Sequence, residues 1–445
     1  MPQAPAETGQ PALTTPTPRR PAGLELLGEF KGSGFTEPQY LVRRADGQVI
    51  QLSGLLYAVV QSADGRRDLE AIAAAVSRDT GRGVHADHVR FLVEKRLCPL
   101  GVLAGSEEST SRLKRADPLL ALKFRFALVP ARAVQWFTAQ FGALFLPPVV
   151  ALEAMFAVAF AVWLFFIYGV GDPLLALVYH PSYILITAGL AVLSALFHEI
   201  GHATACRYGG AKPGVVGAGV YFIWPVFYTR VTDAYRLDRR GRLRTDLGGI
   251  YFNLIFLVIL GEVYFLTGFE PLLAASAIQF LQILFQLLPF LRFDGYYILS
   301  DLTGVPDLLS RLRPTARGLV PGRQRERRSD EVRPWVRVVT TIYLAALVPM
   351  LGLFIGLLAV RAPDLLAAAG ESLPMYGDRA WAAFSDGEVA SGLAALLQLV
   401  LLVLPAVGLI LATARTSGLL GAAVLRRLRT SRPRQRPRMP EKLGA

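Results

Sequence analysis

The chain has 445 residues and a net charge of +13, and 53% of its residues are hydrophobic while only 18% are charged. This composition is too apolar for a disordered chain, and two cysteines are too few for a disulfide-stapled secreted fold. Since soluble domains carry about 25% charged residues, a chain this apolar and this basic is typical of a polytopic membrane protein with basic loops on one side.

The N-terminal region is predicted to contain a disordered tail and one small soluble domain. Residues 1–23 are rich in Pro, Ala and Thr and lack the apolar core of a signal peptide, so we expect this tail to stay in the cytoplasm. Residues 24–106 contain two strand-like runs on either side of Asp46-Gly47, a strong hairpin signal. Three short helical patterns follow, at about 54–62, 67–78 and 85–97. Together they indicate a winged-helix-like α+β domain.

The rest of the chain is predicted to be mostly α-helical and embedded in a membrane. Residues 107–147 are expected to form a linker and an interfacial segment, in which the period-two run Leu122–Leu128 indicates an amphipathic strand. The stretch 211–246 is too polar to span, and its piece Val220–Val231 predicts a re-entrant or interfacial hairpin. Six segments are long and apolar enough for a bilayer that needs about 20 residues. They lie at about 148–169, 183–205, 247–268, 272–293, 335–360 and 390–412.

The loop charges predict how these spans are oriented. The loop 301–334 contains eight Arg and the tail 413–445 contains nine basic residues, whereas 361–389 has two Arg and five acids. With six spans, the positive-inside rule places the basic loops and both termini in the cytoplasm and the acidic loop outside. We therefore expect an inner-membrane protein with no nucleic-acid partner. Its Arg clusters at 323–328 and 426–438 are expected to contact anionic lipid headgroups.

A chemical motif lies inside the second predicted span. Ionisable residues within apolar spans are expensive and are functional candidates by default. The span ends in the HExxH sequence His198-Glu199-Ile200-Gly201-His202. Histidines four residues apart lie on one helix face and can bind the same Zn²⁺, and Glu199 beside them can take a proton from water. The alternative is a pair of core histidines with ordinary hydrogen-bond partners. Three polar groups inside an apolar span cost several kcal/mol when unpaired, which favours the metal site.

A catalytic zinc site needs a third protein ligand, and the candidate is Asp294 at the end of the fourth predicted span. The second and fourth spans run in the same direction. His198 lies about 15 residues, or ~22 Å, into its span. Asp294 reaches a compatible depth because Pro289 should break its helix and shorten the path. The alternative is an Asp that simply caps a helix at the interface.

These motifs together resemble the site-2 protease family of intramembrane zinc metalloproteases. The HExxH sequence and Asp294-Gly295 match the family's metal-site motifs, and Gly249–Asn253 stands where the family has a Gly-containing motif ending in Asn. The string Leu291–Asp301 is similar to the bacterial peptide zinc metalloprotease branch. The resemblance covers about residues 140–300, so residues 148–300 are expected to form the catalytic membrane core.

The resemblance implies a role for each motif residue. Glu199 would act as the base, and Asn253 would position the substrate or the developing oxyanion. The chain departs from the family pattern at Gln286 and Leu291, which replace an Asn and a Pro, and no PDZ insertion is visible. These departures bear on substrate handling more than on the metal. The implied zinc ligands are His198, His202 and Asp294.

The region 24–106 has a resemblance of its own. Its Asp46-Gly47 hairpin and three helices are similar to PqqD-like domains, which recognise the leader peptides of ribosomally made, modified peptides. In that family the leader adds as a strand to the hairpin sheet, so that backbone hydrogen bonds supply affinity. A winged-helix DNA reader is the alternative, and acidic residues spread along the predicted helices disfavour it.

These observations predict a membrane zinc endopeptidase that cuts a precursor peptide presented from the cytoplasm. Two alternatives remain open. The first is a regulated intramembrane protease whose substrate is a single-span signalling protein. The second is a non-proteolytic export or immunity factor that uses zinc only structurally.

Overall fold

The protein is mostly helical and its described residues form two small three-stranded sheets, as expected for a polytopic membrane protein with a small N-terminal domain. Its contacts divide it into a larger unit, Met1–Leu174 with Thr187–Tyr221 and Pro225–Met350, and a smaller one made of the remaining segments. The computed structural model describes residues 17–104, 123–221, 224–289, 292–306, 308–309, 331–404, 406–408 and 410.

The N-terminal domain is a three-stranded sheet covered by three short helices. Its strands, in the spatial order β1-β2-β3, are Glu25–Glu29, Gln39–Arg43 and Val49–Ser53. Gly47 has a φ of +83° between β2 and β3, which confirms the predicted hairpin, whereas β1 had no clear sequence signal. Val42 and Leu52 of the sheet are buried against Val59 and Ile72 of the helices. The helices are α1 Gly54–Ser62, α2 Leu69–Thr80 and α3 Ala86–Leu92, which continues as the π turn Val93–Leu97.

Residues 17–23 belong to this domain, although the sequence predicts a disordered tail there. Arg19 forms isolated antiparallel bridges with Asp64 and Ala104, and the Thr17 hydroxyl donates to the carbonyl of Gly65 at 3.1 Å. These backbone contacts give the segment partners that its composition does not reveal. The rest of the predicted tail, and most of the predicted polar linker, lie outside the described residues.

The linker region leads into a second sheet beside the membrane helices. The predicted amphipathic strand is confirmed as β4, Lys123–Val129, and it pairs antiparallel with β5, Val216–Tyr221. The third strand is β6, Trp224–Thr229, so the predicted hairpin is present and begins four residues earlier than expected. Gly217 permits the close pairing, because a Cβ atom there would clash with the carbonyl oxygen of Phe126.

Five helices among the described residues are long and apolar enough to cross a membrane. The fourth predicted span is instead a 17-residue helix, ~25 Å long, which ends before Pro289. In chain order the helices are α4 Ala131–Gln140, α5 Pro147–Val162 with a π extension to Tyr168, α6 Gly171–Tyr179, α7 Pro181–Tyr208, α8 Arg239–Thr267, α9 Pro271–Leu287, α10 Asp294–Thr303, α11 Pro334–Ser385 and α12 Val389–Gly408.

Two helices extend well beyond their predicted spans. Helix α11 runs unbroken over 52 residues, so most of the segment 361–389, for which the sequence predicts a loop, is helical. Leu and Ala are frequent there, and their helix propensity continues the helix past the end of the apolar run. Helix α8 starts eight residues before the predicted 247, because Asp238 caps it by accepting a hydrogen bond from the Gly241 amide at 2.8 Å.

Helices α7 and α8 pack against each other with almost no side chain between them at one point. A Cβ atom at Gly201 would clash with the carbonyl oxygen of Gly248, and one at Gly248 would lie 2.6 Å from that of Gly201. One turn away the rings of Phe197 and Phe252 lie against each other at a tilt, with centroids 4.7 Å apart. Small residues allow such close packing of membrane helices, and this packing puts α8 directly against the HExxH turn.

The N-terminal domain docks on the membrane helices through the segment that follows β1. Arg242 of α8 is only 1% exposed, and its guanidinium lies over the ring of Phe30 at 4.2 Å. The same group donates hydrogen bonds to the Lys31 carbonyl at 3.1 Å and to the Asp301 carboxylate at 2.9 Å. The domain is therefore held against α8 and α10 by a buried cation. Ion pairs at the edge of this contact are Arg43–Asp233 and Glu25–Arg236.

We expect Arg242→Ala to lower the free energy of unfolding by about 3–5 kcal/mol, because it leaves the largely buried Asp301 carboxylate without its cation. Arg240 is exposed on the same helix turn, and Arg240→Ala should cost no more than about 0.5 kcal/mol. Denaturant unfolding in detergent micelles, followed by tryptophan fluorescence, measures both values. An equal loss of unfolding free energy in the two variants would contradict the role of Arg242 as the buried partner of Asp301.

Candidate metal centre

Two histidines of α7 and one aspartate of α10 meet at a single point. Nε2 of His198 lies 3.0 Å from Oδ2 of Asp294 and 3.0 Å from Nε2 of His202. Nε2 of His202 lies 3.4 Å from Oδ1 of Asp294. The three ligand atoms all lie within 4.8 Å of one another. The fold thus brings together the three residues that the sequence predicts as ligands.

The donor set fits a zinc ion. Catalytic zinc sites use three protein ligands drawn from imidazole nitrogens, carboxylate oxygens and thiolates. Oδ2 of Asp294 is buried and approaches His198 without hydrogen-bond geometry, so its lone pairs lack the partner that a cation would supply. Burial raises the pKa of the Asp294 carboxyl, but the imidazoles of His202 and His198 outweigh it and hold the pKa below its usual range. The Asp294 carboxyl therefore favours its ionised form, which can bind a cation.

Helix α8 supplies a hydrogen-bond partner to the Nδ1 atom of each histidine ring. Nδ1 of His202 lies 2.8 Å from the backbone oxygen of Thr245, to which it donates. Nδ1 of His198 lies 3.0 Å from the terminal amide of Asn253, which is 2% exposed. Metal-binding histidines are commonly oriented through their second nitrogen in this way. Both Nε2 atoms therefore point toward Asp294.

Gly249 of the same helix provides the space that the two rings occupy. A Cβ atom at this position would lie 2.5 Å from Nε2 of His198 and 2.5 Å from Nε2 of His202. Side-chain carbons do not approach that closely, so any other residue displaces a ring. The motif that begins with Gly249 and ends with Asn253 therefore has a physical basis in this site: its glycine gives room, and its asparagine contacts a ligand one turn later.

A second glycine brings Asp294 to the histidines. Asp294 is the first residue of α10 and does not continue the helix of the fourth predicted span. The backbone of Phe293, directly before it, is extended. A Cβ atom at Gly295 would clash with the carbonyl oxygen of Leu287. The glycine therefore lets α10 begin directly against the end of α9. The predicted break at Pro289 is confirmed, and the Asp-Gly pair turns the chain back toward α7.

Glu199 lies next to the ligands but is not one of them. Its side chain is half-buried, and its backbone carbonyl accepts a hydrogen bond from the Thr229 hydroxyl of β6 at 2.9 Å. Among the described residues, the group that could hold a metal ion consists of His198, His202 and Asp294. A carboxylate one residue from a metal ligand and outside the ligand set has the position of the general base in HExxH sites.

Several contacts of the site have little signal in the sequence. The Thr245 contact is made by a backbone carbonyl, so no side-chain pattern indicates it. Ser194 of α7 and Gln286 of α9 both contact Asn253. In the sequence, each is visible only as a polar residue within an apolar helix. Ser194 lies four residues before His198. Cys206, one turn beyond His202, is fully buried in a separate apolar cluster and is not in the ligand set.

Comparison with known proteins adds one relative. A protein of Bacillus subtilis (strain 168) named "Putative peptide zinc metalloprotease protein YydH" is 27% identical to the chain over 110 residues. The matched part is 24% of this chain and 44% of that protein, so the chain covers less than half of the relative's length. No family model and no solved structure matches the chain. The similarity supports a zinc metalloprotease relationship.

We expect Gly249→Ala to weaken zinc binding by about tenfold or more, because its methyl group displaces the two histidine rings. Gly189 lies on α7, and a methyl group added there would have nothing within 4 Å. Gly189→Ala is therefore a matched control that should bind zinc as the wild type does. Competition with a chromophoric chelator, on metal-stripped protein in detergent, measures the affinity. Unchanged affinity in Gly249→Ala would show that the rings have another position.

Proposed function

We propose that the protein is a membrane-embedded zinc metalloendopeptidase of the site-2 protease type. The observation that carries this proposal is the meeting of two histidines and an aspartate, with a glutamate beside them, on membrane helices and the helix that follows them. The similarity to a protein named as a peptide zinc metalloprotease supports a hydrolytic role. The zinc ligands are His198, His202 and Asp294.

In this proposal, three residues of the site bind the metal and a fourth transfers protons. His198, His202 and Asp294 would hold the zinc, which would supply a Lewis acid that polarises the scissile carbonyl and makes the attacking water more acidic. Glu199 accepts a proton from this water while the water oxygen bonds to the carbonyl carbon. The same carboxyl then gives the proton to the leaving amine as the C–N bond breaks.

We further propose that the substrate is a ribosomally made precursor peptide, and that the N-terminal domain is a PqqD-like module that binds its leader. The domain has the predicted hairpin and three helices, and its outer strands β1 and β3 each pair with one neighbour in the described sheet. A leader can add to such an edge as a further strand. Arg242 ties this domain to α8, the helix that also contacts both histidines. A bound leader is thereby held at a fixed position relative to the site.

The membrane and its orientation are part of the same proposal. Basic residues concentrate in the loop 301–334 and the tail 413–445, which favours the inner membrane with both termini in the cytoplasm. A cytoplasmic N-terminus puts the recognition domain where precursor peptides are made. The Arg clusters assigned to anionic headgroups lie outside the described residues.

Glu199→Gln tests the chemistry. We expect cleavage of the substrate to fall by about 10²–10⁴-fold, because the amide cannot carry the proton, while the zinc content stays at the wild-type level. Glu262→Gln is the matched control, since Glu262 is an exposed carboxylate on α8 outside the site. Single-turnover cleavage assays and metal analysis of the same samples give the two measurements. Retained cleavage in Glu199→Gln would exclude this mechanism, and a wild-type protein that binds zinc but cuts nothing would favour the non-proteolytic alternative.

Competition by a free leader tests the substrate class. Adding the leader segment as a separate peptide should raise the KM for the full precursor and leave kcat unchanged, because both compete for the N-terminal domain. A scrambled leader is the control, and a short substrate without a leader should be cut at the same rate with or without the competitor. Efficient cleavage of a single-span membrane protein, insensitive to the leader, would instead favour the regulated intramembrane protease.

A further inference from the structure

Three polar side chains behind His198 form a connected set of hydrogen bonds in the membrane core. Ser194 of α7 and Asn253 of α8 are 1% and 2% exposed, and Gln286 of α9 is half-buried. The Ser194 hydroxyl lies 3.3 Å from the Asn253 amide oxygen, and the Asn253 amide nitrogen lies 2.9 Å from the Gln286 amide oxygen. The same Asn253 nitrogen lies 3.0 Å from Nδ1 of His198. Burying polar groups at this depth is costly unless they are paired, so each contact has a role in the site.

The hydrogen-bonding capacity of the imidazole determines what this set does. A neutral histidine carries one N–H and one lone pair on its two ring nitrogens. Nε2 of His198 faces Asp294 and His202, so a metal takes the lone pair of Nε2 and the ring hydrogen is then on Nδ1. That Nδ1–H needs an acceptor. Asn253 supplies one, because a terminal amide presents an oxygen in one orientation and an NH₂ group in the other.

The neighbours of Asn253 satisfy the amide in both orientations. With its NH₂ toward His198, Asn253 donates to Nδ1 and to the Gln286 oxygen, and the Ser194 hydroxyl donates to the Asn253 oxygen. With its oxygen toward His198, Asn253 accepts from Nδ1–H and from the Gln286 NH₂ group, and it donates to the Ser194 hydroxyl. Both arrangements use the same three positions. The three side chains can therefore hydrogen-bond Nδ1 of His198 whether or not that nitrogen carries the ring hydrogen.

The second histidine is supported differently. Nδ1 of His202 faces the backbone oxygen of Thr245 at 2.8 Å, and a backbone carbonyl only accepts. His202 therefore carries a hydrogen on Nδ1, and in its neutral form its Nε2 presents a lone pair to a metal. His198 obtains the same form through a side-chain amide, which substitution can remove. This difference makes the support of His198 accessible to experiment.

We propose that Asn253, Gln286 and Ser194 are positioning residues that hold His198 in its metal-binding form, with Asn253 making the direct contact and the other two orienting its amide. This inference rests on the proposed zinc site. It assigns Asn253 to support of a ligand in place of the oxyanion role that the family resemblance implies. It also gives a reason for Gln286, whose longer side chain reaches Asn253 from α9 where the family has an Asn.

Zinc affinity of the metal-stripped, full-length protein in detergent tests the proposal without any substrate. Asn253→Leu should weaken zinc binding by about 10–100-fold, and Gln286→Leu by about fivefold, equivalent to one ordinary hydrogen bond. Asn253→Asp should stay within about threefold of the wild type, because a carboxylate accepts from Nδ1–H in either orientation. Gln282→Leu is the matched control on α9, one turn from Gln286, and should bind zinc as the wild type does. Substituting Co²⁺ and recording its visible spectrum reports ligand geometry, which should change in Asn253→Leu and not in Gln282→Leu.

The outcomes separate this inference from the proposed function. Wild-type zinc affinity and an unchanged Co²⁺ spectrum in both Asn253→Leu and Gln286→Leu would overturn the positioning role, while His198→Ala still abolishing binding would leave the metal site intact. A wild-type protein whose zinc binding does not depend on His198 would overturn both. If Asn253→Leu fails to fold, as shown by its thermal melt, the comparison of Gln286→Leu with Gln282→Leu decides the question. Neither position is buried, since Gln286 is half-buried and Gln282 is exposed on the same helix.

Discussion

The close crossing of α7 and α8 is the constraint on which the site depends. Gly201 and Gly248 bring the two backbones so near that neither position has room for a Cβ atom. Gly249 follows at once and leaves room for both histidine rings. Without this approach, the α8 groups that hold the rings would be too far away to reach them. Membrane helices gain little from apolar contact with each other, so small residues and buried polar contacts determine where they meet.

One face of α8 connects the parts of the molecule. Arg242, Thr245, Gly249 and Asn253 follow one another at spacings of three or four residues, which places them along one side of a helix. The first anchors the N-terminal domain, the second and fourth contact the histidines, and the third leaves space for them. The N-terminal domain and the cluster of His198, His202 and Asp294 are thus both contacted by one helix, which keeps their separation constant. In the function that we propose, this arrangement holds one part of a peptide while another part reacts.

Much of this structure follows from patterns along the chain. The Asp46-Gly47 turn, the helices of the N-terminal domain and the apolar spans are local features, and period and composition predict them well. The errors have physical causes too. Capping by Asp238 and the helix propensity of Leu and Ala extend α8 and α11 beyond their apolar runs. Hydropathy predicts which residues lie in lipid. It does not predict where a helix starts and ends, because hydrogen bonds and helix propensity determine those positions.

The sequence by itself determined which residues to expect in the cluster, because HExxH spacing puts two histidines on one helix face and ionisable residues in or beside apolar helices are functional candidates. Only the tertiary structure decided how these groups are held. The Thr245 carbonyl, the amides of Asn253 and Gln286, and the cation of Arg242 act across helices, between residues with no shared local pattern. Contacts of this kind depend on helix crossing and rotation, which the packing of the whole membrane core sets.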